Sequence, residues 1–135
     1  VVASEAIEAA GLMAEDRRDV GVLAITSADR LHAGWSAAQR AREAGQGHAR
    51  GHVERLLSAL SRDCALITVA DGHPAGLAWL GAVRGNPTRA LGVEHFGQTG
   101  TVADLYRHFG IDAQSILRAA QAMSAGRPMR HRRRP

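Results

Sequence analysis

The chain has 135 residues, which is enough for one compact domain and too few for two. All 17 basic residues are Arg, and with 13 acidic residues they give a net charge of +4. Five of these Arg lie in the last nine positions, so the rest of the chain carries 12 Arg against 13 carboxylates. The charge therefore does not predict a folded nucleic-acid-binding face. A hydrophobic content of 45% excludes wholesale disorder.

Cysteine usage and hydropathy favour a soluble protein. Cys64 is the single cysteine, which excludes an internal disulfide and a multi-cysteine metal site. No apolar run approaches the roughly 20 residues that a membrane span needs. Residues 1–10 contain Glu5 and Glu8 and lack the basic region of a signal peptide. We therefore expect a cytoplasmic protein without a membrane partner.

The pattern of residues 1–60 predicts four elements. The first is a helix capped by Ser4 and ending near Arg18, and the second is a strand at Val20–Thr26. A helix that buries Leu31, Trp35 and Ala38 follows, and then a short helix at His52–Leu60. Residues 20–26 are almost continuously apolar, as expected of a strand covered on both faces. Residues 26–29 offer N-caps for the second helix, and Gly45 and Gly47 interrupt the chain after it.

The pattern of residues 61–126 predicts five elements. A strand at Ala65–Ala70 comes first, followed by a helix from Pro74 that carries Leu77, Leu80 and Val83. A weaker strand at Thr88–Val93, a helix capped by Thr101 and a last helix capped by Asp112 complete the pattern. Strands that alternate with helices favour an α/β fold with a mostly parallel sheet and helices on both faces. Three strands are few for such a sheet, so we expect at least one more strand before Val1 or in the first residues.

Polar residues follow each predicted strand, and ligands collect at the carboxyl ends of strands in open α/β sheets. Asp71, His73 and His95 are therefore the candidate ligand site, which requires the loops after two strands to meet. The alternative is that these side chains cap helices and fix turns, a common role of such residues. The sequence leaves both interpretations open and shows no complete catalytic constellation.

Other features carry weaker signals. His48 and His52 have the spacing of helical metal ligands, but a glycine lies between them and no third ligand is close in sequence. Cys64 lacks a cationic flank and is expected to be a small structural residue. Trp35 and Trp79 lie in apolar stripes and are expected in the core or an interface. Residues 95–100 contain two glycines but lack the lysine of a phosphate loop.

Three segments together resemble the C-terminal domain of the transketolase superfamily. The first is Ala-Ile-Thr-Ser-Ala-Asp-Arg-Leu at 24–31, which is similar to the family's strand followed by Thr-Ser-x-Asp-Arg-Leu. The second is Leu-Gly-Val-Glu-His-Phe-Gly-Gln-Thr-Gly at 91–100, which is similar to the family's Phe-Gly loop. The third is the Phe-Gly-Ile-Asp turn at 109–112. Within the superfamily, the chain looks nearest to transketolase-like proteins and the homodimeric decarboxylating component of pyruvate dehydrogenase.

The resemblance implies a three-layer α/β/α domain with a mostly parallel, five-stranded mixed sheet, whose first strand lies at or before residues 1–3. We assign residues 1–126 to this domain and residues 127–135 to a basic, flexible tail. Family members bind thiamine diphosphate and magnesium between two other domains, through a Gly-Asp-Gly…Asn motif and an activating Glu. Neither feature matches here, because Asp71-Gly72 has no suitably spaced Asn after it. No catalytic, cofactor-binding or metal-binding residue can therefore be carried over.

The sequence leaves two main functional hypotheses and a weaker third. The first is a non-catalytic C-terminal domain of a thiamine-diphosphate enzyme, whose partners are the preceding catalytic domains and a homodimer mate. The second is a regulatory module that binds a small anion or nucleotide at the strand ends. A nucleic-acid role of the Arg-rich tail is the third, and nucleic acid is not an expected partner.

Overall fold

The computed structural model describes residues 2–15, 20–94 and 101–124. The elements are, in order, α1 (Val2–Glu15), α2 (Ala28–Glu43), α3 (His52–Leu57), β1 (Leu66–Val69), α4 (Ala75–Ala78), α5 (Leu80–Arg84), β2 (Thr88–Leu91), α6 (Val102–Phe109) and α7 (Ala113–Ser124). The predicted tail at 127–135 lies outside the described residues, so the proposed domain boundary stays a prediction. No helix in the described ranges is both long and apolar enough to cross a membrane.

The sheet of the described residues has two strands. β1 and β2 are parallel, with Leu66 opposite Thr88 and Val69 opposite Leu91. The connection between them runs through α4 and α5, as expected for parallel strands, which need a crossover. The predicted α/β class and parallel pairing are confirmed, whereas five strands are not seen in this part of the chain.

Two apolar clusters pack around this sheet. One contains Ala9 of α1, Leu91 of β2, Ile111, and Ala113 and Ile116 of α7, with Ile67 and Val69 packed against it. The other contains Val53 and Leu57 of α3 and Leu80 of α5, with Leu66 packed against it. Successive residues of a strand point to opposite faces of the sheet. Because Leu66 packs against one cluster and Ile67 and Val69 pack against the other, one cluster lies on each face. Helices therefore cover both faces, as the sequence predicted.

The predicted strand at Val20–Thr26 is wrong. The segment forms no strand in the structure, and Val20, Val22 and Leu23 are 39%, 49% and 53% exposed. A strand exists only when a neighbour pairs with its backbone, and none of the described residues pairs with this one. The apolar pattern of residues 20–26 predicted burial beside a neighbouring strand, and the described residues contain no strand that pairs with this segment.

Several helix boundaries also differ from the predictions. α1 begins at Val2, so Ser4 lies within its first turn and is not its N-cap. α3 ends at Leu57, three residues early, where the Arg84 guanidinium donates to the carbonyls of Leu57 and Leu60 at 2.6 and 2.7 Å. A side chain distant in sequence thus satisfies two carbonyls at the end of this helix.

The helix predicted from Pro74 divides at Trp79 into α4 and α5. The amide of Ala82 donates to the carbonyl of Trp79 at 2.9 Å, a three-residue spacing that tightens the helix at the break. The strands β1 and β2 lie within the predicted ranges and are shorter by two residues each.

The amino ends of α6 and α7 are capped by different kinds of group. The Oγ1 of Thr101 accepts from the amide of Asp104 at 3.2 Å, which confirms the predicted N-cap of α6. At α7, the Ser115 hydroxyl donates to the Asp112 carboxylate. The amide of Ala113 instead donates to Glu5 Oε2 of α1 at 2.8 Å. A carboxylate from the other end of the chain therefore caps α7, which local sequence could not reveal.

An ion pair joins α2 to α3. The guanidinium of Arg42 lies 2.8 Å from Glu54 Oε1, and the Glu54 side chain is only 14% exposed. The same oxygen accepts from the amide of Gly51 at 3.0 Å. Burial alone raises the pKa of Glu54, but the Gly51 amide and the Arg42 guanidinium together lower it below its ordinary value of 4.5.

This lowered pKa predicts a pH-dependent contribution to stability. A carboxyl whose pKa is lower in the folded state stabilises the fold above the unfolded-state pKa, and that contribution is lost as the pH falls through the folded-state value. Glu54→Gln should therefore lower the free energy of unfolding by about 1–3 kcal/mol at neutral pH. The deficit should shrink below pH 4.5. Urea denaturation over about pH 2–7 measures it, with the exposed Glu43→Gln as control. A deficit that is independent of pH would contradict the assignment.

Candidate functional site

The carboxyl ends of β1 and β2 lie at one edge of the sheet because the strands are parallel. The loops that follow them are in direct contact. The amide of Val93 donates to the carbonyl of Gly72 at 2.7 Å. Gly92 is buried, and a Cβ built on it would lie 2.5 Å from the Gly72 carbonyl oxygen and 2.8 Å from the Pro74 nitrogen. The structure therefore brings the loop that carries Asp71 and His73 against the start of the loop that leads to His95.

The side chains of Asp71 and His73 are both exposed at this edge. The Nδ1 of His73 accepts from the amide of Ala75 at 3.1 Å, so the imidazole stabilises the start of α4. This contact is the turn-fixing role that the sequence left open for His73.

His95 lies outside the described residues, as do both glycines of the 95–100 segment. The meeting of Asp71, His73 and His95 in one site is therefore untested and stays a prediction. Of the loop after β2, residues 92–94 are described, and Glu94 is exposed.

An open cleft that the sequence did not predict lies between the segment before α2 and the helices α2 and α3. Its volume is about 360 Å³. It is lined by Leu23, Ala24, Ile25, Thr26, Ser27, Arg30, Leu31, Gly34, His52 and Leu56. Most of this lining is apolar, and its two basic side chains, Arg30 and His52, are exposed. The cleft has the chemistry of a surface that packs against protein. Its signal in the sequence was the apolar run of 20–26, which was interpreted as a buried strand.

The two half-buried tryptophans form an aromatic cluster with the exposed ring of His32. The Trp35 and Trp79 rings stack with centroids 5.4 Å apart, and the His32 ring meets Trp79 edge-on at 4.9 Å. The indole N–H of Trp79 donates to the carbonyl of Gly76 at 3.0 Å. The cluster fixes α2 against the junction of α4 and α5, as the sequence anticipated for two tryptophans in apolar stripes.

A set of metal ligands is not found among the described residues. They contain no group of three His, Cys, Asp or Glu side chains that could hold a metal ion. His48 lies in a turn and His52 begins α3, and both are exposed. Cys64 is half-buried, and its thiol donates to the carbonyl of Ala65 at 3.7 Å. None of these side chains therefore belongs to a set of metal ligands within the described residues.

Comparison with known proteins gives one positive finding. The model of the transketolase-like TK C-terminal domain family matches residues 2–112. The match runs from α1 through β2 and α6 to the turn before α7, so it includes the three segments that carry the resemblance. Searches of curated proteins and of solved structures returned no match. Because the family model covers most of its length, the chain belongs to the transketolase-like TK C-terminal domain family.

Proposed function

We propose that the chain is a non-catalytic C-terminal domain of a thiamine-diphosphate-dependent enzyme, either transketolase-like or a 2-oxo acid dehydrogenase. The observation that carries the proposal is the family match over residues 2–112. In this proposal thiamine diphosphate and magnesium bind to other domains of the parent enzyme. The contribution of this domain is to support the fold and the dimeric assembly of the whole.

The distribution of apolar surface supports a role in assembly. Val20, Val22, Leu23, Leu56 and Leu60 are exposed large hydrophobic residues, which we call the apolar strip. Leu23 and Leu56 both line the cleft beside α2. Exposed apolar side chains that share one cleft, as Leu23 and Leu56 do, are a common mark of a protein–protein interface, because covering them removes apolar surface from water. The strip is thus the expected contact with the preceding catalytic domains or with the homodimer mate.

The role of the strip can be tested by self-association of the 135-residue chain. Sedimentation velocity over a range of concentrations should show a dimer for the unsubstituted chain. Leu23→Glu should abolish the dimer, because a carboxylate would lose its hydration in the interface. Ala37→Glu, on the exposed surface of α2, is the matched control and should dimerise normally. A chain that is monomeric throughout, or one that dimerises equally with Glu at position 23, would contradict a homodimer contact through the apolar strip.

The enzyme class has a separate test in the coding sequence upstream of Val1. A thiamine-diphosphate enzyme should encode a Gly-Asp-Gly…Asn motif there, followed by this domain in the same reading frame. An upstream reading frame without that motif would overturn the class. The cytoplasmic location, and the absence of nucleic-acid and membrane partners, stay predictions.

The regulatory module is a second candidate, and one observation favours it. The 2.7 Å hydrogen bond from Val93 to Gly72 joins the two loops that would form its anion or nucleotide site. Titration with inorganic phosphate, followed by the NMR signals of Asp71, His73 and His95, distinguishes the candidates. Saturable shifts at all three residues would favour regulation, and unchanged signals would leave these residues as caps.

The complete sheet is part of the proposal. We expect a five-stranded mixed sheet in the parent enzyme, of which the described residues contain β1 and β2.

A further inference from the structure

α1 has apolar surface on two opposite sides. One side packs on α7, and Ala9 is buried there. The other side is exposed, and we call it the outer face; it consists of Ala3, Ile7, Gly11 and Ala14. Ile7 is 61% exposed, the largest value for a large hydrophobic side chain among the described residues. Because a helix that is apolar on all sides is typically buried on all sides, the outer face is expected to have a partner.

Acidic side chains border the outer face. Glu8 and Glu15 lie two helical turns apart along the same side of α1, and both are exposed. Glu5 accepts from the amide of Ala113 and so belongs to the contact with α7. Residues 2–15 contain no basic side chain. The outer face is therefore an apolar surface with a negatively charged border.

The cleft beside α2 has the complementary composition. Its lining is apolar at Leu23, Leu31 and Leu56. Arg30 and His52 are the basic residues of this lining, and no acidic residue is part of it. Opposite charges across an interface select the partner and fix its register. The cleft thus fits an apolar segment that carries carboxylates, and the outer face of α1 is such a segment.

Both surfaces also allow close approach of a helix backbone. A Cβ built on Gly34, in the wall of the cleft, would meet nothing within 4 Å, and the same holds for Gly11 in the outer face. A helix that lays its apolar face into a groove uses anchor positions such as i, i+4 and i+7. Ile7, Gly11 and Ala14 have this spacing. The outer face therefore has the geometry of a helix that docks into a groove.

The outer face and the cleft lie apart within one chain. α1 packs with α7 on one face of the sheet, whereas Ile25 and Leu31 of the cleft pack against the cluster on the other face. No residue of α1 is among those that line the cleft. A contact between the two surfaces consequently joins two copies of the chain.

We propose that the cleft is a docking site for the outer face of α1 from a second copy of this chain. Ile7 of one copy lies between Leu23 and Leu56 of the other, and the Glu8 carboxylate lies near Arg30. The inference rests on the proposed function, because it names the occupant of a surface assigned there to assembly. It adds that the contact joins two different surfaces, of which each copy has one.

Mixing two variants tests this pairing. Ile7→Glu disrupts the outer face and Leu23→Glu disrupts the cleft, so each variant alone should self-associate at least about tenfold more weakly than the unsubstituted chain. An equimolar mixture should form a complex of two chains, because one variant retains the cleft and the other retains the outer face. Sedimentation velocity over about 10 µM to 1 mM measures this. Val102→Glu, at another exposed hydrophobic position, is the matched control and should associate normally.

A charge exchange tests the orientation of the docked helix. Arg30→Glu and Glu8→Arg should each weaken self-association by about threefold or more, because each brings like charges together across the interface. The chain that carries both substitutions should associate more tightly than either single variant, because opposite charges then meet again. Positions 7, 8, 23 and 30 are all exposed, so circular dichroism should show an unchanged helix content in every variant.

Three results would overturn this proposal alone. The first is an Ile7→Glu chain that associates like the unsubstituted chain while Leu23→Glu does not, which would assign another surface of the second copy to the cleft. The second is an equimolar mixture that stays monomeric, and the third is a double charge variant no tighter than the single ones. An unsubstituted chain that is monomeric at every concentration would overturn the proposal together with the homodimer contact, so the two failures are distinguishable.

Discussion

Replacing Gly92 with alanine is expected to lower the free energy of unfolding by about 3 kcal/mol. The added Cβ would lie 2.5 Å from the Gly72 carbonyl oxygen, 2.8 Å from the Pro74 nitrogen and 3.0 Å from the Pro74 Cα. All three are backbone atoms, so no side chain can rotate to relieve the contact. The loop at 71–74 would have to separate from β2, which would break the hydrogen bond from Val93 to Gly72.

Urea denaturation monitored by tryptophan fluorescence measures this loss, since Trp79 follows the affected loop closely. Gly76→Ala is the matched control, because its Cβ would meet nothing within 4 Å and it lies inside α4. Removing a helical glycine should leave stability unchanged or raise it by about 0.5–1 kcal/mol. Equal stabilities for the two variants would mean that the strand-end loops are not in contact.

Ile111→Ala is expected to cost about 2–5 kcal/mol. Ile111 is 1% exposed, and Ile111 and Val53 have the largest fully buried side chains among the described residues. It lies in the cluster that joins α1, β2 and α7, so truncation would leave a cavity where three elements meet. Because domains are stable by only about 5–15 kcal/mol, the variant should unfold at a clearly lower temperature.

Thermal unfolding followed by circular dichroism provides the measurement. Val102→Ala is the control, because Val102 is also a branched hydrophobic residue near a helix start and is 58% exposed. The control should change stability by less than about 0.5 kcal/mol. A similar loss in both variants would contradict the packing of Ile111 between the helices and the sheet.

Local pattern was sufficient for much of the fold. The runs at 65–70 and 88–93 predicted β1 and β2, since short apolar segments bounded by turn residues favour strands. The capping role of Thr101 was correct because an N-cap depends on residues within one helical turn. The stripe of Leu31, Trp35 and Ala38 was correct because helical periodicity identifies the face that must be buried.

The sequence could predict only part of the candidate site. The positions of Asp71 and His73 after β1 followed from the strand itself. The contact of their loop with Val93 depended on the register of β1 against β2, which no single segment encodes. The cleft beside α2 was missed because an apolar run has the same pattern whether its partner strand is present or absent.

The sequence by itself determined the α/β class, the parallel strands and the family, because these depend on periodicity and on motifs within short segments. Tertiary structure alone decided that Glu5 caps α7, that Arg84 ends α3 and that residues 20–26 form no strand. The physical reason is the same in each case. Hydrogen-bonding groups are satisfied by whichever partner lies nearest in space, and that partner can be more than 100 residues away in the chain or outside the described residues altogether.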